Sequence, residues 1–215
     1  MQTNSITTDF NRRPTANTYL YYSLISNAND WSWNSRNWTV SWTASRNNGA
    51  VFSWNRKILS VDTLPTAFTI SVFIKKTSNS ASEQVLFAKR WKSWWNPNEY
   101  QRFWVIFNGS SMLRLFHPLS SSSHQRDDIM TIDTTNRHHI VYVFNNWTVK
   151  LYIDKVLKKT FSSSYTNYTW SWLWLWWRYS WTNNLYWTER EFIVESGERS
   201  QSAIESYYNK MIWKL

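Results

Sequence analysis

The sequence predicts an all-β protein, a two-sheet antiparallel jelly-roll sandwich with a short C-terminal helix. Three observations carry that prediction. Short runs rich in β-branched and aromatic residues recur along the whole chain, turn-forming residues separate them, and only the last stretch has a helical apolar period.

In chain order, Leu20–Ile25, Val51–Ser53 and Lys57–Val61 are the first strand candidates, each bounded by turns. Phe68–Lys75 alternates with period two, which places Phe68, Ile70, Val72 and Ile74 on one face. Val85–Lys89, Arg102–Phe107 and Met112–His117 follow, the last two joined by Asn108-Gly109-Ser110-Ser111. His139–Phe144 and Thr148–Ile153 read as a hairpin, Val156–Phe161 continues the meander, and Leu185–Glu195 is the last long strand. Ser200 is a predicted cap for a helix ending near Met211, with Ile204, Tyr207, Tyr208 and Met211 as its apolar stripe. Ser120–Ser123 and Ser162–Ser164 are loop material.

One feature of composition conflicts with so many turns: eighteen tryptophans stand against three glycines in 215 residues. The tryptophans sit in turn chemistry, as in Asp30-Trp31-Ser32-Trp33-Asn34, Asn37-Trp38-Thr39, Ser53-Trp54-Asn55, Asn146-Trp147-Thr148 and Ser180-Trp181-Thr182. Tight hairpins need φ > 0 and favour Asn-Gly or Asp-Gly, whereas tryptophan carries a Cβ and gains nothing there. Glycine at these positions gives well-formed turns, as expected if UGA codons rendered here as tryptophan encode glycine. Trp104, inside a strand, and Trp213, near the end of the chain, are expected to be genuine. Most of the eighteen are expected in loops or at strand ends, with positions 31, 33, 94, 95, 176 and 177 crowding turns if bulky.

The length suits one domain, expected over residues 19–215 after a polar extension at 1–18. The absence of cysteine excludes disulfides and thiolate metal sites. No run of about 18 apolar residues exists, so membrane insertion is not expected. Met1 to Thr18 lacks the layout of a signal peptide. The net charge of +10 raises nucleic acid as a partner. However, the densest basic pairs, Lys75-Lys76, Lys89-Arg90 and Lys158-Lys159, read as solvated strand ends or edges, and no nucleic-acid partner is expected.

Read with glycine at the tryptophan positions, residues 19–211 resemble the laminin-G-like, concanavalin A-type lectin/glucanase jelly roll. The resemblance rests on several segments. Tyr22 to Asn34 looks like a strand leading into an Asn-Asp-Ser-Gly-Asn loop, Ala50–Val61 like two apolar strands about a glycine, and Phe68–Lys75 like the core strand. Arg137–Val143 with Thr148–Asp154 is similar to the family's His-His-Val hairpin, and Thr188–Val194 to its closing strand. Two departures stand out: Lys155 fills a slot usually held by glycine, and Arg190 one usually held by aspartate. Trp170–Trp177, glycine-rich once restored, mimics a nucleotide loop, but no helix follows it, and the resemblance makes it a strand.

The resemblance implies a non-catalytic binding domain for a glycan or a surface protein, acting in adhesion at a cell or virus surface. A structural surface protein without sugar binding is one alternative, and a glycoside hydrolase of the glucanase type another. Rim loops or the concave sheet would carry binding, with Asn96, Tyr100, Arg102, Tyr179, Asn183 and Asn184 as candidates. Hydrolysis would need Glu189, Glu191 and Glu195 on one face, but their spacing fits solvent-facing charges better. His138 and His139 lack an obvious acidic partner nearby in sequence and read as packing residues, one inside and one outside. No cofactor is required. Calcium is a candidate through Asp127, Asp128 and Asp30, although no complete ligand loop is legible.

Overall fold

In a computed structural model, the structure describes residues 17–22, 50–51, 58–59, 64–76, 84–91, 103–108, 111–118, 124–145, 147–162, 171–175 and 187–213. The strands are β1 (Thr18–Tyr22), β2 (Ala50–Val51), β3 (Ile58–Leu59), β4 (Ala67–Lys76), β5 (Gln84–Trp91), β6 (Trp104–Phe107) and β7 (Met112–Pro118), followed by β8 (His124–Thr131), β9 (Arg137–Asn145), β10 (Thr148–Ile153), β11 (Val156–Ser162), β12 (Ser171–Leu175) and β13 (Trp187–Ser196). A helix, α1 (Gln201–Met211), follows, the only one among the described residues. They form two antiparallel sheets. One runs β1-β13-β4-β9-β10-β11, with β2 also on β13, and the other runs β3-β12-β5-β6-β7-β8.

Period-two alternation builds the core as the sequence predicts. Phe68, Ile70, Val72 and Ile74 of β4 meet Phe87, Val105, Phe107, Leu113 and Leu115 of the second sheet in one cluster. The other face of β4 is buried too, because α1 covers it. Ile204 packs with Val141, Val143 and Tyr152, while Tyr207 and Tyr208 lie over Phe73. The Ser200 hydroxyl accepts from Ala203 N at 3.3 Å and fixes the start of α1, as expected of a cap. Before it, Gly197 turns the chain at φ +88° and donates its N–H to Ala67 O at 2.8 Å.

Three sequence readings need correction. β8 was not foreseen: His-Gln-Arg-Asp-Asp gives no alternating signal, and an outermost strand can carry such charges. Lys76 and Lys89 are buried rather than solvated, Lys76 with its ammonium 5.0 Å from the Phe107 ring centroid. Burial lowers Lys76 to about 8 and Lys89 to about 7. Lys158 and Lys159 are exposed, as read. Glu191 and Glu195 are not solvent-facing. A bulge between Arg190 and Ile193 buries Glu191 at φ +54°, and Glu195 is buried beside Arg199, Nη2 to Oε1 2.6 Å.

The three tryptophans whose side chains are described, Trp104, Trp147 and Trp213, lie outside the buried core. Trp147 and Trp213 are 63% and 89% exposed, and Trp104 is half-buried. Trp91, Trp104 and Trp187 stand at strand ends, whereas Trp172 and Trp174 lie within β12. Positions 31, 33, 94, 95, 176 and 177 lie outside the described residues.

Candidate functional site

All six predicted contact residues, Asn96, Tyr100, Arg102, Tyr179, Asn183 and Asn184, lie outside the described residues. The strands that carry their segments are described, however. Residues 92–102 join Trp91 to the start of β6, where Trp104 pairs with Ala88. Residues 176–186 join the end of β12 to Trp187, which pairs with Lys76. Since β5 and β12 are antiparallel, with Ser171 beside Trp91 and Leu175 beside Phe87, the two connections leave opposite ends of the sandwich. The strand anchors therefore do not bring the two sets together.

What the anchors of the first set do bring together is a row across the six-stranded sheet. Ala88, Trp104, Phe116 and Arg126 are successive cross-strand neighbours on β5, β6, β7 and β8. This row lies on the face away from the sandwich core. Val85, Ala88 and Ile106 form a separate small apolar cluster there, with Trp104 and Phe116 packed against it. The two rings are 5.3 Å apart, tilted by 46°, and both are half-buried. Arg126 beside them is exposed.

The adjacent row carries an ion pair. Arg114, opposite Ile106, donates from Nε to Oδ1 of Asp128 and from Nη2 to Oδ2 at 3.1 Å. The guanidinium is buried while Asp128 is exposed, and its hydrogen bonds hold that carboxyl below the ordinary range. An aromatic pair beside an exposed guanidinium and a fixed carboxylate offers an apolar surface and directional polar groups together. That combination suits the amphipathic face of a sugar ring. Alternation in Arg102–Phe107 and Met112–His117 was legible, but setting Arg126 beside Trp104 and Phe116 required the register of the unforeseen β8.

The calcium reading does not find its geometry. Asp127 and Asp128 diverge, Asp128 to Arg114 and Asp127 to Lys159 at 3.6 Å across the sandwich edge. Asp30 lies outside the described residues, among which no three acidic or histidine side chains are grouped to hold a metal. The hydrolytic set is likewise dispersed in register. Glu189 pairs with Ile74 of the inward row, and Glu195, beyond the bulge, with Thr69 of the outward row.

His138 has two acidic partners, and one of them, Asp133, lies only five residues away, which corrects the expectation of none nearby in sequence. His138 Nδ1 is 2.6 Å from Asp154 Oδ2, and its Nε2 is 3.1 Å from Asp133 Oδ2. Asp133 is itself an acceptor for the Thr135 and Asn136 N–H groups at 2.8 and 2.7 Å, which holds its carboxyl well below the usual range. The hydrogen bond to Asp154 foremost raises His138 above its ordinary value. His139 is fully buried, stacked on Phe73 at 4.2 Å, with Nε2 2.8 Å from Ser71 Oγ. Burial lowers it to about 3. Both histidines are therefore inside the protein, and the expectation of one outside is corrected.

No protein-family model and no curated protein matches the chain. Solved structures do resemble it. The botulinum neurotoxin serotype D binding domain has a TM-score of 0.71 at 15% identity, covering 91% of this chain and 52% of that one. The botulinum neurotoxin serotype D ligand binding domain in complex with N-acetylneuraminic acid gives 0.66 at 14% identity, covering 91% and 51%. Trypanosoma rangeli sialidase in complex with 2,3-difluorosialic acid gives 0.69 at 13% identity, covering 93% and 34%. The chain thus spans about half the length of the neurotoxin domains and a third of the sialidase. At these identities the likeness establishes the β-sandwich fold.

Proposed function

We propose that residues 19–215 form one non-catalytic jelly-roll domain of laminin-G-like, concanavalin A-type character that binds a glycan, acting in adhesion at a cell or virus surface. The observation that carries this reading is the Trp104–Phe116 pair beside Arg126, on the outward face of a sheet in this fold. The fold likeness to a domain solved with N-acetylneuraminic acid adds support and directs attention to acidic sugars, which the exposed Arg126 would pair with. Asn96, Tyr100 and Arg102, whose segment ends beside Trp104, extend the site. Tyr179, Asn183 and Asn184 belong to a connection at the other end and contribute a separate surface.

A glycan array with the parent protein tests the reading, followed by titration of any ligand found against Trp104→Ala, Phe116→Ala and Arg126→Ala. Each substitution is expected to weaken binding at least tenfold. Failure of the parent to bind any sugar sinks the proposal, and undiminished binding by all three variants moves the site elsewhere. A glucanase or sialidase activity is the alternative that the sialidase fold likeness raises. The opposite phases of Glu189 and Glu195 argue against the glucanase arrangement, and turnover by the parent that is lost in Glu191→Gln would restore it.

A further inference from the structure

The meander β9-β10-β11 contains two hairpins of identical loop length. Ile153 pairs with Val156 across Asp154-Lys155, and Asn145 pairs with Thr148 across Asn146-Trp147. Two-residue loops that follow the right-handed strand twist need φ > 0 at one or both loop positions. The first loop meets this in full, with Asp154 at φ +50° and Lys155 at φ +65°. The second carries asparagine first, the residue favoured there in a type I′ turn, and tryptophan second, where the same turn favours glycine. The Trp147 N–H is directed at Asn145 O, and its side chain is 63% exposed.

Burial points the same way. Eight of the eleven phenylalanines lie in the core, whereas Trp104, Trp147 and Trp213, the tryptophans whose side chains are described, are half-buried or exposed. Trp104 differs from Trp147: it sits in β6, packs on Phe116, and needs no special backbone. We infer that residue 147 is glycine in the protein as its source makes it, through a UGA codon, and that residue 104 is tryptophan. Asn146 then leads an Asn-Gly turn, the same device as Asp154 with its neighbour one hairpin later. The inference goes beyond the binding proposal and does not depend on it.

Two tryptic peptides of protein purified from its native source decide the matter. Phe103–Arg114 contains Trp104 as its single tryptophan, and His138–Lys150 contains Trp147 as its single tryptophan. The first is expected at its tryptophan mass, and the second lighter by the difference between tryptophan and glycine. A tryptophan mass for the second overturns the inference. A glycine mass for the first overturns the assignment of Trp104 and removes the aromatic pair. As an independent readout, recombinant Trp147→Gly is expected to melt above the parent chain, and an unchanged or lower midpoint overturns the reading of the loop.

Discussion

Asp154 ties two turns together through His138. Its Oδ2 lies 2.6 Å from His138 Nδ1, its Oδ1 accepts from His139 N at 2.8 Å, and Asp133 holds the far ring nitrogen of His138 at 3.1 Å. A charged imidazolium donates to both carboxylates at once, which is why its pKa is raised. A raised folded value gives stabilisation that is fully present below the ordinary imidazole value of 6.5 and lost as pH rises through the raised one. His138→Gln should therefore be destabilised by about 1–3 kcal/mol at acidic pH. The gap to the parent should shrink as pH rises above 6.5. Urea denaturation across that window measures it, and a gap independent of pH would contradict the bracketed imidazolium.

The neighbouring His139 should act with the opposite sign. Its folded value near 3 lies below the unfolded 6.5, so between them the unfolded chain binds a proton that the folded chain refuses. Around it lie Ser71, Phe73, Tyr207, Tyr208 and the guanidinium of Arg199, which pairs with Glu195. Stability should fall by about 1.4 kcal/mol for each pH unit below 6.5 on account of this group alone. His139→Phe keeps the stacking on Phe73 and should flatten the acid limb by close to one proton. An unchanged slope would mean that His139 charges in the folded state.

These two residues also show where sequence reasoning stops. Alternation correctly located β4, β9 and β10 and the inward row of Phe68, Ile70, Val72 and Ile74. It left the outward row without a cover, because nothing in a strand's own pattern announces that a helix far along the chain will pack on it. Ile204 and Tyr207 supplied the cover and turned His139 into a core residue. The partners of His138 were equally hidden, since one arrives across a hairpin and the other from a loop of exposed polar residues. The aromatic row was half legible: Trp104 and Phe116 stood in recognised strands, but charged β8 had no apolar period to reveal it.

Lys155 occupies a glycine position, and its backbone shows the cost. At φ +65°, next to Asp154 at φ +50°, it adopts a left-handed conformation that an L-residue with a Cβ disfavours by about 1–2 kcal/mol. Its ammonium reaches Asn209 Oδ1 at 3.0 Å and lies 5.4 Å from the Tyr208 ring, exposed contacts that return only part of that. Lys155→Gly should stabilise by about 1 kcal/mol and raise the melting midpoint by about 2–4 °C. A lowered midpoint would show that the contacts to α1 outweigh the backbone term.

Gly197 gives the complementary experiment, because there the residue already suits its backbone. At φ +88° it hands the chain from β13 to α1, donating to Ala67 O and accepting from Thr69 Oγ1 at 3.0 Å. A Cβ built at this position meets no atom within 4 Å, so substitution brings no steric clash and isolates the conformational penalty. Gly197→Ala should cost about 1 kcal/mol and lower the midpoint by about 2–4 °C. Gly197→Asn should cost less, since asparagine tolerates the left-handed region better than alanine. Equal losses for the two would point to a cause other than φ, because the open space around the Cβ leaves backbone conformation as the property in which they differ most.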